Sequence, residues 1–379
     1  MKKITILGGG QLGKMLCLSA SPLDIPIYVL DEKSDFPAAK LCEKFIEGSF
    51  KDFNDVYNAG NQVDIITIEI EHVNTAALHQ LQKEGKTVHP APEKLDIIKD
   101  KGLQKLFYIE HNLPTSNFAI FDDEKAIREG LKNGQIKFPF VQKTREAGYD
   151  GKGVAVIKNA ADLEKKLLEG ASLIEELVEI EKELAVIVCR NENGEVAVYD
   201  AVEMEFNPDA NLVEFLFAPA NISNIIAAEA EELAIKVIEA FSICGLLAVE
   251  LFLTKDNLLL INEVAPRPHN SGHHTIDAAE TSQFEQHLRG IMNFPLGSTR
   301  LKSPAVMLNL LGEPDFVGDV HYEGLEKCLA IEGVHVHLYG KKQTKPFRKM
   351  GHVTVTADTL EAAKKKADFV KNNLKVKAI

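Results

Sequence analysis

A glycine cluster near the amino terminus lies between two apolar runs, and this arrangement restricts the possible folds more than any other part of the sequence. Ile4 to Leu7 is a short, β-rich run, Gly8-Gly-Gly-Gln-Leu-Gly13 follows it directly, and Met15 to Ser19 continues with helical spacing. A strand that enters a glycine turn and continues as a helix is typical of the first unit of a parallel sheet. The sequence therefore predicts an α/β domain at its start.

Later runs extend this alternation of strand and helix. Ile27 to Leu30 and Ile65 to Ile68 are predicted strands of the buried type, and helical stretches are expected around Ala38 to Glu43 and Phe53 to Ala59. Strands that alternate with helices predict a parallel sheet covered on both faces. The two prolines of His89-Pro-Ala-Pro92 stop regular structure, so we predict that the first domain ends close to this point.

The rest of the chain predicts a mixed α+β region. One helix should run from about Glu93 through about His111, and the glycine-rich loop Gly148 to Gly153 should join two strands as a hairpin. The remaining predicted elements are the strands Phe138 to Lys143, Gly153 to Ile157, Leu173 to Glu176, Leu184 to Arg190, Val196 to Val202, Leu246 to Leu253, Leu258 to Asn262, Val306 to Leu310, Val334 to Tyr339 and Val353 to Thr356, and the helices Ile225 to Ser242 and Leu360 to Asn373.

The composition excludes several classes of protein. The 379 residues are 45% hydrophobic and 26% charged, which is ordinary for a folded protein of two or three domains. A formal net charge of −13 argues against binding to nucleic acid or to an anionic membrane, and no run approaches ~18 uninterrupted apolar residues. The five scattered cysteines favour a reducing cytoplasm over a disulfide framework. We therefore expect a soluble cytoplasmic protein whose anionic ligands are held by a few well-placed cations.

The first glycine loop matches the pattern of dinucleotide-binding loops. Gly8 to Gly13 satisfies G-x-G-x-x-G, and Asp31 ends the next predicted strand, where a ribose-binding acid would lie. Physically, the pattern predicts only that backbone N–H groups at a helix N-terminus can approach an anion. A nicotinamide cofactor, a different phosphate and a tight turn without a ligand therefore all remain open at this loop.

A second glycine loop combines three glycines with three cations in eleven residues, Lys143-Thr-Arg-Glu-Ala-Gly148-Tyr-Asp-Gly151-Lys-Gly153. Glycines there allow backbone amides to fold over phosphates, and Lys143 and Lys152 can neutralise the phosphate charge. No helix follows the loop, so it is not a Walker loop. The alternative is a flexible hairpin tip without a ligand.

Two acidic residues lie on neighbouring predicted strands. Glu250 is inside one strand and Glu263 follows the next, so an antiparallel hairpin would bring their carboxylates together. Buried carboxylates repel each other unless a cation neutralises them, and Mg²⁺ accepts a few carboxylates together with water and phosphate oxygens. The alternative is a pair of structural acids that bind lysines. His269 and His273 follow in a segment broken by proline and glycine, so we do not expect a zinc site there.

Together these motifs resemble the ATP-grasp enzymes, and within them the 5-(carboxyamino)imidazole ribonucleotide synthase family of purine biosynthesis. The resemblance covers nearly the whole chain and implies an ATP-grasp fold, α/β and α+β, with an amino-terminal Rossmann-like parallel-sheet domain and a small carboxy-terminal domain. The implied domains are residues 1–98, 99–300 with a lid subdomain at about 112–174, and 301–379. The motifs are Gly8-Gly-Gly-Gln-Leu-Gly-Lys-Met15, Gly148-Tyr-Asp-Gly-Lys-Gly153, Asn262-Glu-Val-Ala-Pro-Arg-Pro-His-Asn-Ser-Gly-His273 and Arg348-Lys-Met-Gly-His352.

The resemblance implies an ATP-dependent carbon–nitrogen ligase, acting as a homodimer. With ATP, Mg²⁺ and bicarbonate it would carboxylate 5-aminoimidazole ribonucleotide through carboxyphosphate, with the metal on Glu250 and Glu263. The implied catalytic residues are Arg267, His269, Asp150 and Lys152. The residues implied for ATP are Lys101, Lys143, Gly148, Gly151, Gly153, Glu175, Glu176, Val178, Glu183 and Asn262.

The resemblance also implies a ribonucleotide site built from both ends of the chain. Gln11 and Leu12 would present backbone amides to the 5′-phosphate, and Glu69 would accept a hydrogen bond from the substrate amine. This sequence departs from the family at Phe347, where a glycine is usual. The other residues implied for the ribonucleotide are Tyr149, Lys341, Arg348 and Lys349.

Three other functions remain open at this point. Another ATP-grasp purine enzyme, such as a formate-dependent glycinamide ribonucleotide transformylase, would share the nucleotide and metal residues. An NAD(P)-dependent oxidoreductase would use Gly8 to Gly13 and Asp31, but it would leave the second glycine loop and the two acids without a purpose. A non-catalytic nucleotide sensor would not need Arg267. We expect the ligase, with small-molecule substrates and neither a nucleic-acid nor a membrane partner.

Overall fold

The structure, a computed structural model, describes residues 1–146, 153–207 and 212–379. Its amino-terminal part consists of β1 (Ile4–Leu7), α1 (Gln11–Ala20), β2 (Ile27–Asp31), β3 (Lys44–Glu47), α2 (Phe53–Asn61), β4 (Ile65–Ile68), α3 (Thr75–Lys83), β5 (Thr87–His89) and α4 (Pro92–Lys99). The five strands form one parallel sheet in the order β3-β2-β1-β4-β5. The predicted parallel sheet and the strand–loop–helix unit at its start are therefore confirmed.

The helix expected around Ala38 to Glu43 is wrong, because this segment forms turns that lead into β3. Pro37 lacks an N–H for a helical hydrogen bond, and the N–H of Ala38 donates to the carbonyl of Gly9 at 3.0 Å. Tertiary contact with the glycine loop therefore decides the path of this segment. The sequence does not predict β3, because this strand lies at the edge of the sheet and its side chains are not fully buried, so it lacks an apolar run.

A four-stranded antiparallel sheet follows. Its elements are α5 (Lys101–Glu110), β6 (Phe118–Phe121), α6 (Glu124–Lys132), β7 (Phe140–Thr144), β8 (Val154–Ile157), α7 (Ala160–Lys166) and β9 (Ser172–Glu176). The strand order is β6-β9-β7-β8, and β7 and β8 pair as the predicted hairpin. The single helix expected through His111 is wrong, because the carboxylate of Asp100 caps a new helix, α5, by accepting from Gly102 and Leu103.

The largest sheet contains nine strands and extends across residue 300, where the sequence suggests a domain boundary. The main path is β15-β14-β10-β12-β13-β16-β20-β18, and β11 pairs with β10. The remaining elements are β10 (Ile180–Arg190), β11 (Val196–Val198), β12 (Val202–Asn207), β13 (Leu212–Ala218), α8 (Asn224–Phe241), β14 (Gly245–Thr254), β15 (Leu259–Ala265), α9 (Thr275–Ala278), α10 (Gln283–Ile291), β16 (Ala305–Leu311), β17 (Gly318–Glu323), α11 (Leu325–Leu329), β18 (Val334–Leu338), β19 (Gln343–Thr344), β20 (Lys349–Thr356), α12 (Leu360–Asn373) and β21 (Lys375–Ala378).

One predicted strand in this region is divided. The run Val196 to Val202 stops at Tyr199, whose hydroxyl donates to the carbonyl of Thr281 at 3.0 Å, so β11 and β12 are separate strands. The predicted carboxy-terminal helix, in contrast, has the bounds Leu360–Asn373 as expected.

Helix α10 joins the amino-terminal part to the large sheet. Its apolar residues Phe284, Leu288 and Ile291 are buried in the same cluster as Ile4 of β1 and Tyr339, which follows β18. Burial of such side chains stabilises the packing of α10 against β1 and against the segment that follows β18. The amino-terminal sheet and the segment after β18 are therefore both packed against α10. None of the helices in the described part of the chain has the length and apolarity needed to span a lipid bilayer.

Candidate active site

The two predicted metal acids lie directly opposite each other on β14 and β15. Glu250 and Glu263 are register partners in this antiparallel pair, and the register then shifts so that Leu251 faces Ile261. This bulge leaves Asn262 as an extra residue on β15, so Asn262 and Glu263 both direct polar groups to the same side. The amide nitrogen of Asn262 donates to Glu250 Oε2 at 3.5 Å. The predicted hairpin is therefore confirmed.

Two lysines neutralise the acids. Lys101 Nζ lies 2.6 Å from Glu263 Oε2, and Lys143 Nζ donates to the side-chain oxygen of Asn262 at 2.8 Å. Burial and then the charge of Glu263 raise the pKa of Glu250, whereas Lys101 and Lys143 hold the pKa of Glu263 below its ordinary value despite burial. The two carboxyl groups thus differ in proton affinity. A divalent cation would remove the repulsion between them.

The donor set fits Mg²⁺ better than a transition metal. Among residues 1–146, 153–207 and 212–379 there is no group of three or more His, Cys, Asp or Glu side chains arranged to hold a metal ion. Two carboxylates are sufficient for Mg²⁺, because it completes its octahedron with water and substrate phosphate oxygens. The carboxylates of Glu250 and Glu263 are oxygen donors of this kind, close to lysines that can bind phosphate.

The segment after β15 places His269 beside one of the acids and Arg267 beside Glu71. His269 Nε2 lies 3.6 Å from Glu250 Oε1. Arg267 Nη2 lies 2.8 Å from Glu71 Oε1, and its Nε atom is buried with no hydrogen-bond partner in the part of the chain that the structure describes. An unpartnered buried N–H favours a site at which an acceptor binds. Glu71, two residues after Glu69 in the chain, orients Arg267.

Glu175, in β9, lies between two buried lysines. Its carboxylate is 2.5 Å from Lys105 Nζ and 2.6 Å from Lys143 Nζ, and Ser116 donates to it at 2.7 Å. Burial opposes its charge, but the two ammonium groups lower the pKa of Glu175 to about 2. Burial lowers the pKa of Lys105 to about 8. Glu175 therefore orients Lys143, and sequence reasoning missed Lys105 because a lysine inside a helix usually faces solvent.

The other residues predicted for the nucleotide lie at the adjoining strand ends. The Glu176 carboxylate accepts from the Asn117 amide at 2.9 Å, and its N–H donates to the Asn117 carbonyl at 3.0 Å. Val178 lies in the connection to β10, on which Glu183 is half-buried. Burial raises the pKa of Glu183, and the nearby charge of Lys143 opposes that rise. The structure thus brings Glu183 to the same region as the acids.

The first glycine loop binds carboxylates of the chain itself. Glu69 accepts from the N–H of Gly10 at 2.6 Å and from that of Gly13 at 2.5 Å, while Asp31 accepts from Gly9 at 2.6 Å. A Cβ atom on Gly10 would lie 2.6 Å from Glu69 Oε1, so a larger residue there would displace this carboxylate. Because these amides and Asp31 are already engaged, the loop does not offer them to a dinucleotide. This geometry disfavours the nicotinamide interpretation.

Two backbone amides of that loop remain available. The N–H groups of Gln11 and Leu12, in the first turn of α1, have no hydrogen-bond acceptor among the described residues. Lys14 Nζ, on the next turn, donates to the carbonyl of Leu338 at 2.8 Å and therefore lies beside the segment that carries Lys341. Sequence reasoning missed Lys14, since no local pattern links it to the end of β18.

The predicted phosphate-binding cations occupy the connection from β18 to β20. Lys341 Nζ donates to the carbonyl of Lys349 at 2.7 Å and lies 5.5 Å from the ring centre of Tyr339. Arg348 donates to the carbonyl of Gln343 at 2.6 Å. Both cations are thus held by backbone carbonyls, near the end of the segment that Lys14 contacts.

Phe347 retains the backbone conformation that a glycine would allow. Its φ is +60°, in the left-handed region that is strained for bulky residues, and its N–H donates to Gly312 at 2.8 Å. We expect Phe347→Gly to be more stable to denaturant than Phe347→Ala by about 1 kcal/mol, because both variants lose the ring but only glycine relieves the strain. Urea unfolding of the two variants measures this difference. Equal midpoints and slopes would contradict it.

Some predicted residues lie outside the described residues. These are Gly148, Tyr149, Asp150, Gly151 and Lys152. Gly153, the last glycine of the second loop, is described, with a φ of +75°, and its carbonyl accepts from Thr144 at 2.9 Å. The roles implied for the five other residues stay predictions.

Comparison with known proteins identifies the family. Three family profiles match in succession: "Ribonucleotide synthetase preATP-grasp domain" over residues 1–99, "ATP-grasp domain" over residues 106–284 and "Phosphoribosylaminoimidazole carboxylase C-terminal domain" over residues 305–366. N5-carboxyaminoimidazole ribonucleotide synthetase from Thermotoga maritima has 45% sequence identity and a TM-score of 0.92, with 100% of both chains covered. The chain belongs to the N5-carboxyaminoimidazole ribonucleotide synthase family. It is therefore an ATP-grasp enzyme, and the predicted fold is confirmed.

Two other members of the N5-carboxyaminoimidazole ribonucleotide synthase family extend this result. The Bacillus subtilis enzyme is 37% identical, over 93% of this chain and 90% of that one. A structure from Aspergillus clavatus, in complex with ADP and 5-aminoimidazole ribonucleotide, has 32% identity and a TM-score of 0.89, with 98% of both chains covered. The chain spans only 65% to 68% of the length of the plant and yeast phosphoribosylaminoimidazole carboxylases that it also matches.

Proposed function

We propose that this chain carboxylates the exocyclic amine of 5-aminoimidazole ribonucleotide, with ATP and bicarbonate as co-substrates, in purine biosynthesis. The products are 5-(carboxyamino)imidazole ribonucleotide, ADP and phosphate. The observation that carries this proposal is the facing pair Glu250 and Glu263, with Lys101 on one acid and His269 3.6 Å from the other. Family membership supports the same assignment.

The nucleotide would bind between the four-stranded sheet and the acid-bearing hairpin. Lys101 and Lys143 would neutralise its phosphates, with Asn262 and Glu175 holding Lys143 in place. Mg²⁺ on Glu250 and Glu263 would supply charge neutralisation to the triphosphate. The other groups proposed for ATP are the loop glycines Gly148, Gly151 and Gly153, the backbone of Glu176 and Val178, and Glu183 for the ribose.

Bicarbonate would bind to the unpartnered Nε of Arg267 and to the ring of His269, which lies 3.6 Å from Glu250. A bicarbonate oxygen attacks the γ-phosphorus of ATP, ADP leaves, and carboxyphosphate forms. Its carbon–oxygen bond then breaks to give carbon dioxide and phosphate, and the amine attacks carbon dioxide and loses a proton. Asp150 and Lys152 are proposed to assist. Phosphoryl transfer needs mainly positioning and charge neutralisation, which these residues provide.

The ribonucleotide would bind between the first glycine loop and the β18–β20 connection. The available N–H groups of Gln11 and Leu12 would donate to its 5′-phosphate, and Lys341 and Arg348 would supply positive charge. Glu69 would accept from the amine with its remaining lone pairs. Tyr149 and Lys349 complete the proposed site. The three proposed domains, 1–98, 99–300 and 301–379, each contribute to the active site.

The decisive experiment measures phosphate release from ATP in bicarbonate buffer. We expect 5-aminoimidazole ribonucleotide to stimulate release, and formate with glycinamide ribonucleotide not to. We also expect no binding or oxidation of NADH, because Glu69 and Asp31 fill the first glycine loop. Lack of stimulation by the imidazole ribonucleotide would reject the proposed function. Light scattering and cell fractionation would test the associated proposals of a homodimer and a cytoplasmic location.

A further inference from the structure

The backbone of His269 is held by one side chain, that of Gln283 in α10. The N–H of His269 donates to Gln283 Oε1 at 2.9 Å, and Gln283 Nε2 donates to the carbonyl of His269 at 2.7 Å. Gln283 is fully buried, and its own N–H donates to the hydroxyl of Thr275 at 2.8 Å. This bidentate contact fixes the amide orientation of Gln283 as well as the position of His269.

The second hydrogen of the Gln283 side-chain amide points to another residue, His273. Gln283 Nε2 lies 3.1 Å from His273 Nδ1, which accepts the hydrogen bond. Burial lowers the pKa of His273, so its ring is neutral and has a lone pair for this purpose. A Cβ on Gly272 would lie 2.4 Å from Gln283 Oε1, so the Gln283 amide packs directly against the backbone of Gly272.

The ring of His273 packs at a tilt against that of His352, and from there the contacts reach Lys341. The ring centres of His273 and His352 are 4.6 Å apart, and His352 Nδ1 is 3.1 Å from the hydroxyl of Tyr339. The ring of Tyr339 lies beneath the ammonium group of Lys341, at 5.5 Å. His273, His352 and Tyr339 are all buried. None of them has a role in the proposed chemistry, although His273 and His352 belong to the motifs that the sequence singles out.

We propose that Gln283, His273, His352 and Tyr339 form a positioning network that holds His269 and Lys341 in a fixed relation. This inference rests on the proposed function, in which His269 faces bicarbonate and Lys341 binds the ribonucleotide phosphate. The network extends from the segment after β15 to β20 through the buried side chains of Gln283, His273 and His352, each of which contacts the next. It therefore links the formation of carboxyphosphate to the placement of the amine that consumes the resulting carbon dioxide.

The test compares Gln283→Leu with Gln286→Leu. Gln286 is a matched control, because it is also fully buried in α10 and makes the same bidentate contact, with the N–H and carbonyl of Gly297 at 2.9 Å each, away from the site. We expect Gln283→Leu to lower the ribonucleotide-stimulated rate roughly 10- to 100-fold and to release more phosphate per product formed, with KM for ATP unchanged. Gln286→Leu should lose a similar amount of thermal stability, but it should still release one phosphate for each product formed.

Tyr339→Phe provides a second measurement that does not depend on the fold tolerating Gln283→Leu. It keeps the ring under Lys341 and removes only the hydroxyl that contacts His352. We expect a higher KM for the ribonucleotide and excess phosphate release, with non-additive effects when it is combined with Gln283→Leu. A wild-type enzyme without ribonucleotide stimulation would reject the proposed function itself. If the wild type is stimulated normally, two results would overturn the network but not the proposed function. One is a normal ratio of phosphate to product in Tyr339→Phe, and the other is additive effects in the double variant.

Discussion

Replacing Glu263 with glutamine should reduce turnover by at least about 100-fold, because the metal site loses one of its two carboxylates and a bound metal contributes several kcal/mol to such reactions. Glutamine keeps the size of the side chain and an oxygen that can accept from Lys101. The substitution also removes the charge repulsion with Glu250, so the folded state should persist. Steady-state phosphate release in bicarbonate buffer measures the loss.

A binding measurement separates loss of metal from loss of fold. Mg²⁺ with ADP should raise the melting temperature of the wild type and have little effect on Glu263→Gln, since a ligand stabilises only the state that binds it. Glu323→Gln is the matched control. Glu323, the last residue of β17, is likewise a strand-borne acid, 2.7 Å from Lys377 on β21, but it lies in the separate three-stranded sheet β19-β17-β21. Full activity of Glu263→Gln at ordinary Mg²⁺ concentrations would show that the metal assignment is wrong.

Lys341→Ala should raise KM for 5-aminoimidazole ribonucleotide roughly 10- to 100-fold, which corresponds to the loss of a charge-assisted hydrogen bond to phosphate of about 1.5–3 kcal/mol. The KM for ATP should change little, because Lys341 lies on the β18–β20 connection and the acids lie on β14 and β15. Initial rates at varied concentrations of each substrate separate the two constants.

The neighbouring residue provides the control for this second prediction. Lys342 carries the same charge, but its side chain is 72% exposed and pairs with Asp35 at 3.4 Å on the surface. Lys342→Ala should therefore leave both Michaelis constants near the wild-type values. If the two variants showed the same modest change, net charge and not a specific contact would account for the effect, and the phosphate would bind elsewhere.

Much of the secondary structure is predictable from local pattern. Ile4 to Leu7 and Ile65 to Ile68 are strands with the predicted bounds, because short apolar β-rich runs between turn residues have few other ways to be buried. The errors occur where tertiary contacts override local preference. The segment around Ala38 follows the glycine loop instead of forming a helix, and Asp100 divides a helical run by capping a new helix.

The sequence predicts some residues of the candidate site and misses others, again because local pattern does not report tertiary contacts. Glu250 and Glu263 could be paired from sequence because a short turn joins their strands, so their proximity is a local property. Lys105 and Gln283 could not be found in this way. Their partners, Glu175 and His269, are distant in the chain or separated from them by an irregular segment, and no periodic pattern reports such contacts.

The glycine loop shows most clearly what each level determines. By itself, the sequence determined that strand β1 turns into helix α1 through a glycine loop whose backbone N–H groups can approach an anion. Only the tertiary structure decided which anion those amides meet. Glu69, brought from the end of β4 by parallel pairing with β1, occupies two of them and leaves the N–H groups of Gln11 and Leu12 available. A backbone donor binds whatever acceptor the fold places within reach, so the motif alone could not specify the ligand.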